Sequence, residues 1–226
     1  MSEVASLDVA RKIRCKILRG ELKSGDTLTA LTLARDMAVS RIPVRDALRD
    51  LQREGLVTIT PRQQANVREL SVEEITDLFL LRFAVEPSIC LLAAGRRLSA
   101  DLRRLGKIVT EMKKVMAGMK DDSNVSARMA KLDVAFHEAV VVASHSKVAE
   151  DFFQKLQVWR LLSPRSLPRH LAVPPDFYSS YASSVAQHEQ LFQAIEARQP
   201  DRARSLMIEH LQPAHDAAIS WVNPTR

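Results

Sequence analysis

Cysteine is scarce in this 226-residue chain, which has only Cys15 and Cys90. Neither has a CxxC partner and both lie in helical-looking segments. That excludes a disulfide framework and leaves them as small, reduced core residues. Long apolar runs are missing too, since no window offers the ~18 uncharged apolar residues of a membrane helix. The first 25 residues mix charges instead of placing a basic head before an apolar stretch. The expectation is a soluble, cytoplasmic protein with no membrane partner. Strand-like alternation is also scarce. It occurs once, in "LVTITPRQQANVREL", residues 56–70, where Val57, Ile59 and Val67 alternate with polar residues around Pro-Arg-Gln-Gln and predict one hairpin.

What is present describes a globular chain: 46% hydrophobic and 27% charged residues, with a mean hydropathy of −0.12, enough to build a core without staples. The length suits two domains. The net charge is +6 and the pI about 9.6. Lys+Arg exceed Asp+Glu by 13 to 9 over residues 1–70 and by 20 to 18 over residues 71–226, so the excess leans toward the front and weakly suggests an anionic partner.

Three short helical patterns precede the hairpin, over about 5–20, 30–37 and 41–54. Long ones follow over 72–95, 99–119, 125–144, 147–163, 176–198 and 201–222, each with apolar residues at three- and four-residue spacing. Ser71 with Glu74, Ser99, Asp176 and Pro200-Asp201 are start signals. Residues 163–176 hold four prolines and form a connection. The fold class predicted is mainly α, with a winged helix-turn-helix over residues 1–70 and an antiparallel six-helix bundle over residues 71–226.

The span "LTLARDMAVSRIPVRDALRDLQREGLV", residues 31–57, reads as helix, tight turn, then a second helix started by Ser40 as N-cap with Pro43 in its first turn. Arginines follow one per turn at 41, 45, 49 and 53. For Arg49 and Arg53 a solvated face is the simpler reading, because Asp46 and Asp50 stand three residues before them. Arg41 places positive charge at the positive end of the helix dipole, a conflict of roughly 0.3–1 kcal/mol unless an external anion relieves it. A phosphate or a guanine edge in the major groove would do so, and Arg45 faces the same way.

Residues 20–67 resemble the N-terminal domain of GntR-type bacterial transcription regulators. Gly20, Leu22, Gly25, Leu28, Leu33, Ala34, Ser40, Arg41, Pro43, Val44, Arg45, Ala47, Leu48, Leu51, Glu54, Gly55 and Leu56 carry the match. The resemblance implies double-stranded operator DNA as partner and a homodimer as the reading unit. It implies DNA contacts from the recognition helix, with Ser40, Arg41, Pro43, Arg45 and Arg49 as candidates, and from the wing, with Arg62 and Gln64. The chain departs from the family at Ala30, where glutamate is usual, and at Gln64, where the wing tip usually has glycine.

In the back domain, Asp133 and His137 stand four apart in "KLDVAFHEAVVVAS", on one helix face among Leu132, Val134, Phe136 and Val140. His188 and His210 are each 11 residues from position 199, in the turn "RQPD". In an antiparallel hairpin both then sit ~16 Å from the turn and can face each other. Any one of these residues alone fits a satisfied core hydrogen bond. Together, one carboxylate and three imidazoles are a normal ligand set for a divalent transition metal, zinc first, with nickel or manganese also suited.

An all-helical domain in this position resembles the FCD type of effector domain, whose pattern carries the same Asp-x-x-x-His followed by two more helical histidines. The resemblance implies a metal held by Asp133, His137, His188 and His210, and a small carboxylic-acid effector reaching it with help from arginines. Arg82, in "LFLLRFAVEP", and Arg160 are the effector-binding candidates; Arg82 reads equally as an ion-pair partner of Glu86. His145, His170 and His215 have no such placement. A metal-dependent hydrolase and a purely structural metal site are the competing readings, and no HExxH-type general base supports the hydrolase.

Overall fold

The computed structural model describes residues 2–18, 21–62, 64–118, 125–155 and 177–222. These residues fall into two compact units that divide between Leu70 and Ser71.

The first unit is built from α1 (Ser2–Leu18), β1 (Thr27–Leu28), α2 (Ala30–Asp36), α3 (Arg41–Arg53), β2 (Val57–Ile59) and β3 (Ala65–Val67). The strands form an antiparallel sheet in the order β1-β3-β2, with Thr27 opposite Asn66 and Val57 opposite Val67. The hairpin was legible in the sequence, but its third strand was not, because two residues are too few to show alternation. The core draws one stripe from each element: Ile13 and Ile17 of α1, Leu33 of α2, Val44, Leu48 and Leu51 of α3, and Val57 and Val67 of the sheet. Arg14 of α1 grips Glu54 at the end of α3 with two nearly parallel bonds, Nε to Oε2 at 2.8 Å and Nη2 to Oε1 at 2.5 Å.

Helix α3 ends in a Schellman motif, in which Gly55 N–H donates to Gln52 O and Leu56 N–H to Leu51 O. Gly55 takes the left-handed conformation there, φ 76°. Helix α2 ends the same way, with Ala38 N–H donating to Arg35 O and Val39 N–H to Ala34 O. The left-handed position is here filled by Ala38, φ 54°.

The second unit is helical: α4 (Val72–Arg96), α5 (Ser99–Ala117), α6 (Val125–Ala143), α7 (Lys147–Lys155), α8 (Phe177–Glu196) and α9 (Pro200–Val222). Ser71 closes a capping box with Glu74 at the start of α4. At α5 the expected cap shifts by one residue. Leu98 is the N-cap and Ser99 the first helical position, with Leu98 N–H donating to Asp101 Oδ2 at 2.7 Å. Asp176 lies outside the described residues.

Helix α4 packs against α9 and α6, α5 against α6 and α8, and α8 against α9. Among the described residues, α4 alone is long and apolar enough to cross a membrane by length and composition. Asp77, Arg82 and Glu86 interrupt its apolar run. Phe79, Ile89, Cys90 and Ala93 of α4 are buried within the unit. Met112 and Val115 of α5 are also core residues.

Candidate functional site

The recognition helix presents one polar face because its apolar residues, Val44, Ala47, Leu48 and Leu51, are all taken into the core. Ser40, Arg41, Arg45 and Arg49 are exposed on the other side. Arg49 lies 3.6 Å from Asp46, and Arg53 pairs with Asp50. No ion pair engages Arg41 or Arg45 among the described residues, so these two are the available cations at the helix start.

Two expectations change here. Ser40 occupies the N-cap with extended backbone, φ −72° and ψ 168°, but its side chain makes no capping hydrogen bond. Its hydroxyl therefore remains available to another partner. Pro43 is buried on the core side, so it shapes the first turn, where its missing N–H costs nothing, and presents no surface to DNA. At the wing, Arg62 and Gln64 are exposed. Gln64 closes the turn through Thr60 N–H donating to Gln64 O at 2.9 Å, and its side-chain amide reaches Thr27 Oγ1 at 3.4 Å.

In the helical unit, Asp133 and His137 of α6, His188 of α8 and His210 of α9 converge, each offering one ligand atom within 4.8 Å of the others. The rings of His188 and His210 lie 4.3 Å apart, as their equal distance from the turn requires. The His137 ring is 5.4 Å from that of His210 and 5.9 Å from that of His188. The three imidazoles are buried, while the Asp133 side chain keeps 37% of its surface, so the cluster opens on the carboxylate side.

The hydrogen-bond partners decide what the centre needs. His188 Nδ1 is 2.7 Å from the Ser184 carbonyl, which can only accept, so Nδ1 carries the proton and Nε2 holds a bare lone pair. That lone pair is buried, makes no hydrogen bond of good geometry, and lies 3.3 Å from Asp133 Oδ1. A lone pair facing a carboxylate is repulsive until a cation stands between them. His210 follows the same pattern, with Nδ1 3.1 Å from Gln187 Oε1. His137 turns Nδ1 to Glu86 Oε2 at 2.6 Å and Nε2 toward Asp133 Oδ1 at 3.9 Å. Three inward Nε2 atoms and one carboxylate fit a divalent transition metal.

Charge follows the same logic. Burial pushes the His210 imidazole well below its ordinary value, and the neighbouring His188 and His137 push it the same way, so it stays in the neutral form that ligates metals.

Arg82 is placed by the second of its two readings. Its Nε is 2.5 Å from Glu86 Oε1, both side chains are buried, and its guanidinium sits 5.1 Å from the Phe79 ring centroid. An effector carboxylate would have to displace Glu86 to reach the Nε edge of this guanidinium. Arg160 and His170 lie outside the described residues. His145 pairs with Asp101 at 2.8 Å, and His215 packs its ring against Phe79 and Phe83. Glu86 itself was read from sequence only as a partner for Arg82; its contact with His137 crosses between helices, which spacing along one helix does not reveal.

A winged helix-turn-helix joined to a helical unit with a buried ligand cluster defines a two-part class, a DNA reader with a regulatory domain. The bacterial regulatory proteins of the gntR family match residues 5–67, and the FCD domain family matches residues 77–213. The chain is 27% identical over 221 residues to the HTH-type transcriptional regulator LutR of Bacillus subtilis (strain 168), covering 91% of this chain and 97% of LutR. It is 28% identical over 214 residues to the gluconate operon transcriptional repressor of the same organism, covering 92% of this chain and 81% of the repressor. A crystal structure of a putative transcriptional regulator GntR from Rhodococcus sp. RHA1 shares the fold at a TM-score of 0.76 and 22% identity, over 95% of this chain and 97% of that one. The protein belongs to the GntR family and carries its FCD domain, which makes it a transcription regulator with a DNA-binding unit and an effector-binding unit.

Proposed function

We propose that this regulator is a cytoplasmic homodimer that binds an inverted-repeat operator and senses a small organic acid at a metal held by Asp133, His137, His188 and His210. The carrying observation is the convergence of these four ligand atoms within 4.8 Å. Four protein ligands do not complete an octahedral site, which leaves positions for water or a carboxylate on a nickel or manganese ion, or on a zinc ion that expands its coordination. The metal would act as the Lewis acid that holds the anion. The exposed side of Asp133 gives a route in. The gluconate operon repressor among its relatives is named for an operon whose compound is itself an organic acid.

On the DNA side, Ser40, Arg41 and Arg45 would make the main contacts, with Arg62 and Gln64 from the wing and a lesser part for Arg49. The ligand must favour one arrangement of the two DNA-reading units, since equal affinity for both shifts nothing.

The test is metal analysis of the purified full chain, followed by a thermal-shift screen of organic acids with and without chelator. At least one acid should raise the melting temperature of the metal-loaded protein and lose that effect with chelator. A screen in which no acid stabilises the loaded protein would leave the metal as a purely structural element and sink the sensor reading.

A further inference from the structure

We propose that Glu86 is a positioning residue for the metal centre: wedged between Arg82 and His137, it fixes the His137 proton on Nδ1 and aims Nε2 at the cluster. This rests on the metal reading above.

Glu86 is almost fully buried, with 3% of its side chain exposed, between an arginine at 6% and a histidine at 1%. Its two oxygens are divided: Oε1 lies 2.5 Å from Arg82 Nε, one turn back on α4, and Oε2 lies 2.6 Å from His137 Nδ1 on α6. A buried carboxylate is tolerated only when compensated, and Arg82 supplies the counter-charge. That leaves Oε2 2.6 Å from Nδ1 of a ligand imidazole, a short charge contact whose angles fall outside a well-formed hydrogen bond. A carboxylate there dictates the tautomer and makes the opposite nitrogen a stronger donor.

The three histidines differ in this respect. His188 is oriented by the Ser184 carbonyl of its own helix and His210 by the Gln187 amide. His137 alone is oriented by an ionic group, and that group belongs to another helix. Glu86 thus ties α4 to the ligand-bearing helix α6, so metal occupancy and the packing of α4 are linked through one side chain.

The experiment compares zinc affinity, by chelator competition, in the full-length wild type and two double variants. Arg82→Met/Glu86→Gln keeps an acceptor for Nδ1–H, whereas Arg82→Met/Glu86→Leu removes it; both delete the charge pair together, which avoids an uncompensated buried charge. The Leu variant should bind zinc roughly 10- to 100-fold more weakly than wild type, and the Gln variant close to wild type. The visible spectrum of the cobalt-loaded protein should change in the Leu variant and not in the Gln variant.

Unchanged zinc affinity in the Leu variant overturns the role of Glu86 and leaves the metal reading intact. A wild type that binds no zinc overturns both. Should the variants fail to fold, nitrogen-15 spectra of zinc-loaded wild type decide the point: a slowly exchanging Nδ1–H on His137 supports the role, and a proton on its Nε2 overturns it.

Discussion

Arg97 and Arg198 each cap the helix that the other one terminates. Arg97, the C-cap of α4, donates from Nε to Ile195 O at 3.4 Å and from Nη2 to Glu196 O at the end of α8. Arg198, just past the end of α8, donates from Nη1 to Gly95 O at 2.6 Å and from Nη2 to Arg97 O at 3.3 Å. Each guanidinium thus meets carbonyls in the closing turn of the other helix, at the negative end of its dipole. Arg198 holds this position in the left-handed conformation, φ 53°. Arg198→Ala should lose the cap, keep the strain, and destabilise the helical unit by about 1 kcal/mol. Arg198→Gly loses the same cap but relieves the strain, so its urea midpoint should fall by clearly less. Equal losses in the two variants would show that φ at this position carries no cost.

Arg45 and Arg49 stand one turn apart on the same helix but differ in what already holds them. Asp46 lies 3.6 Å from Arg49, while no ion pair among the described residues engages Arg45. Arg45→Ala should weaken binding to a duplex selected by the full chain by ~1–3 kcal/mol and flatten its salt dependence. Arg49→Ala should cost less, because Asp46 already neutralises part of that charge. Fluorescence anisotropy at several salt concentrations checks both, with circular dichroism confirming the fold. Undiminished binding by Arg45→Ala would remove this helix from the interface.

The helix-turn-helix turn has a similar built-in cost at Ala38, φ 54°. A left-handed alanine is strained by roughly 1–2 kcal/mol, part of which glycine would return as extra freedom of the unfolded chain. Ala38→Gly should therefore raise the stability of the DNA-binding unit by about 0.5–1 kcal/mol. Gly55→Ala, at φ 76° after α3, should lower it by about 1 kcal/mol. Denaturant titrations of the full chain measure both, and a destabilised Ala38→Gly would mean that the methyl group packs usefully.

These cases show why some features were legible in the sequence and others were not. The placement of His188 opposite His210 follows from helix rise and a turn that Pro200 marks, both local properties. The recognition helix shows its polar face because Val44, Leu48 and Leu51 repeat at helical spacing. The face on which Pro43 packs was not legible, because its residue type fits the first turn equally well on either side. Its face is settled by packing that no local pattern records. The strand at Thr27–Leu28 and the contact from Glu86 to His137 depend on pairing between distant segments, which periodicity within one element does not encode.

Acidification should weaken the helical unit in a defined order. The His210 imidazole lies well below its ordinary value of 6.5, chiefly through burial. In acid the unfolded chain takes up this proton before the folded one does, so stability falls as pH drops below about 6.5. Burial alone would raise the Glu86 carboxyl, but Arg82 and His137 outweigh it and bring it from 4.5 to about 2. Its stabilising contribution is fully present above about 4.5 and is lost as pH falls toward 2. Metal-free protein should therefore show a melting temperature that declines in two stages between pH 7 and 3. Zinc raises stability by mass action, and because burial keeps the folded His210 imidazole in its ligating form, that increment should persist through the first stage and shrink only in stronger acid. Differential scanning fluorimetry across this range, with zinc and with chelator, reads both effects. A zinc increment already lost between pH 7 and 5 would overturn the role of His210 as a buried, neutral ligand.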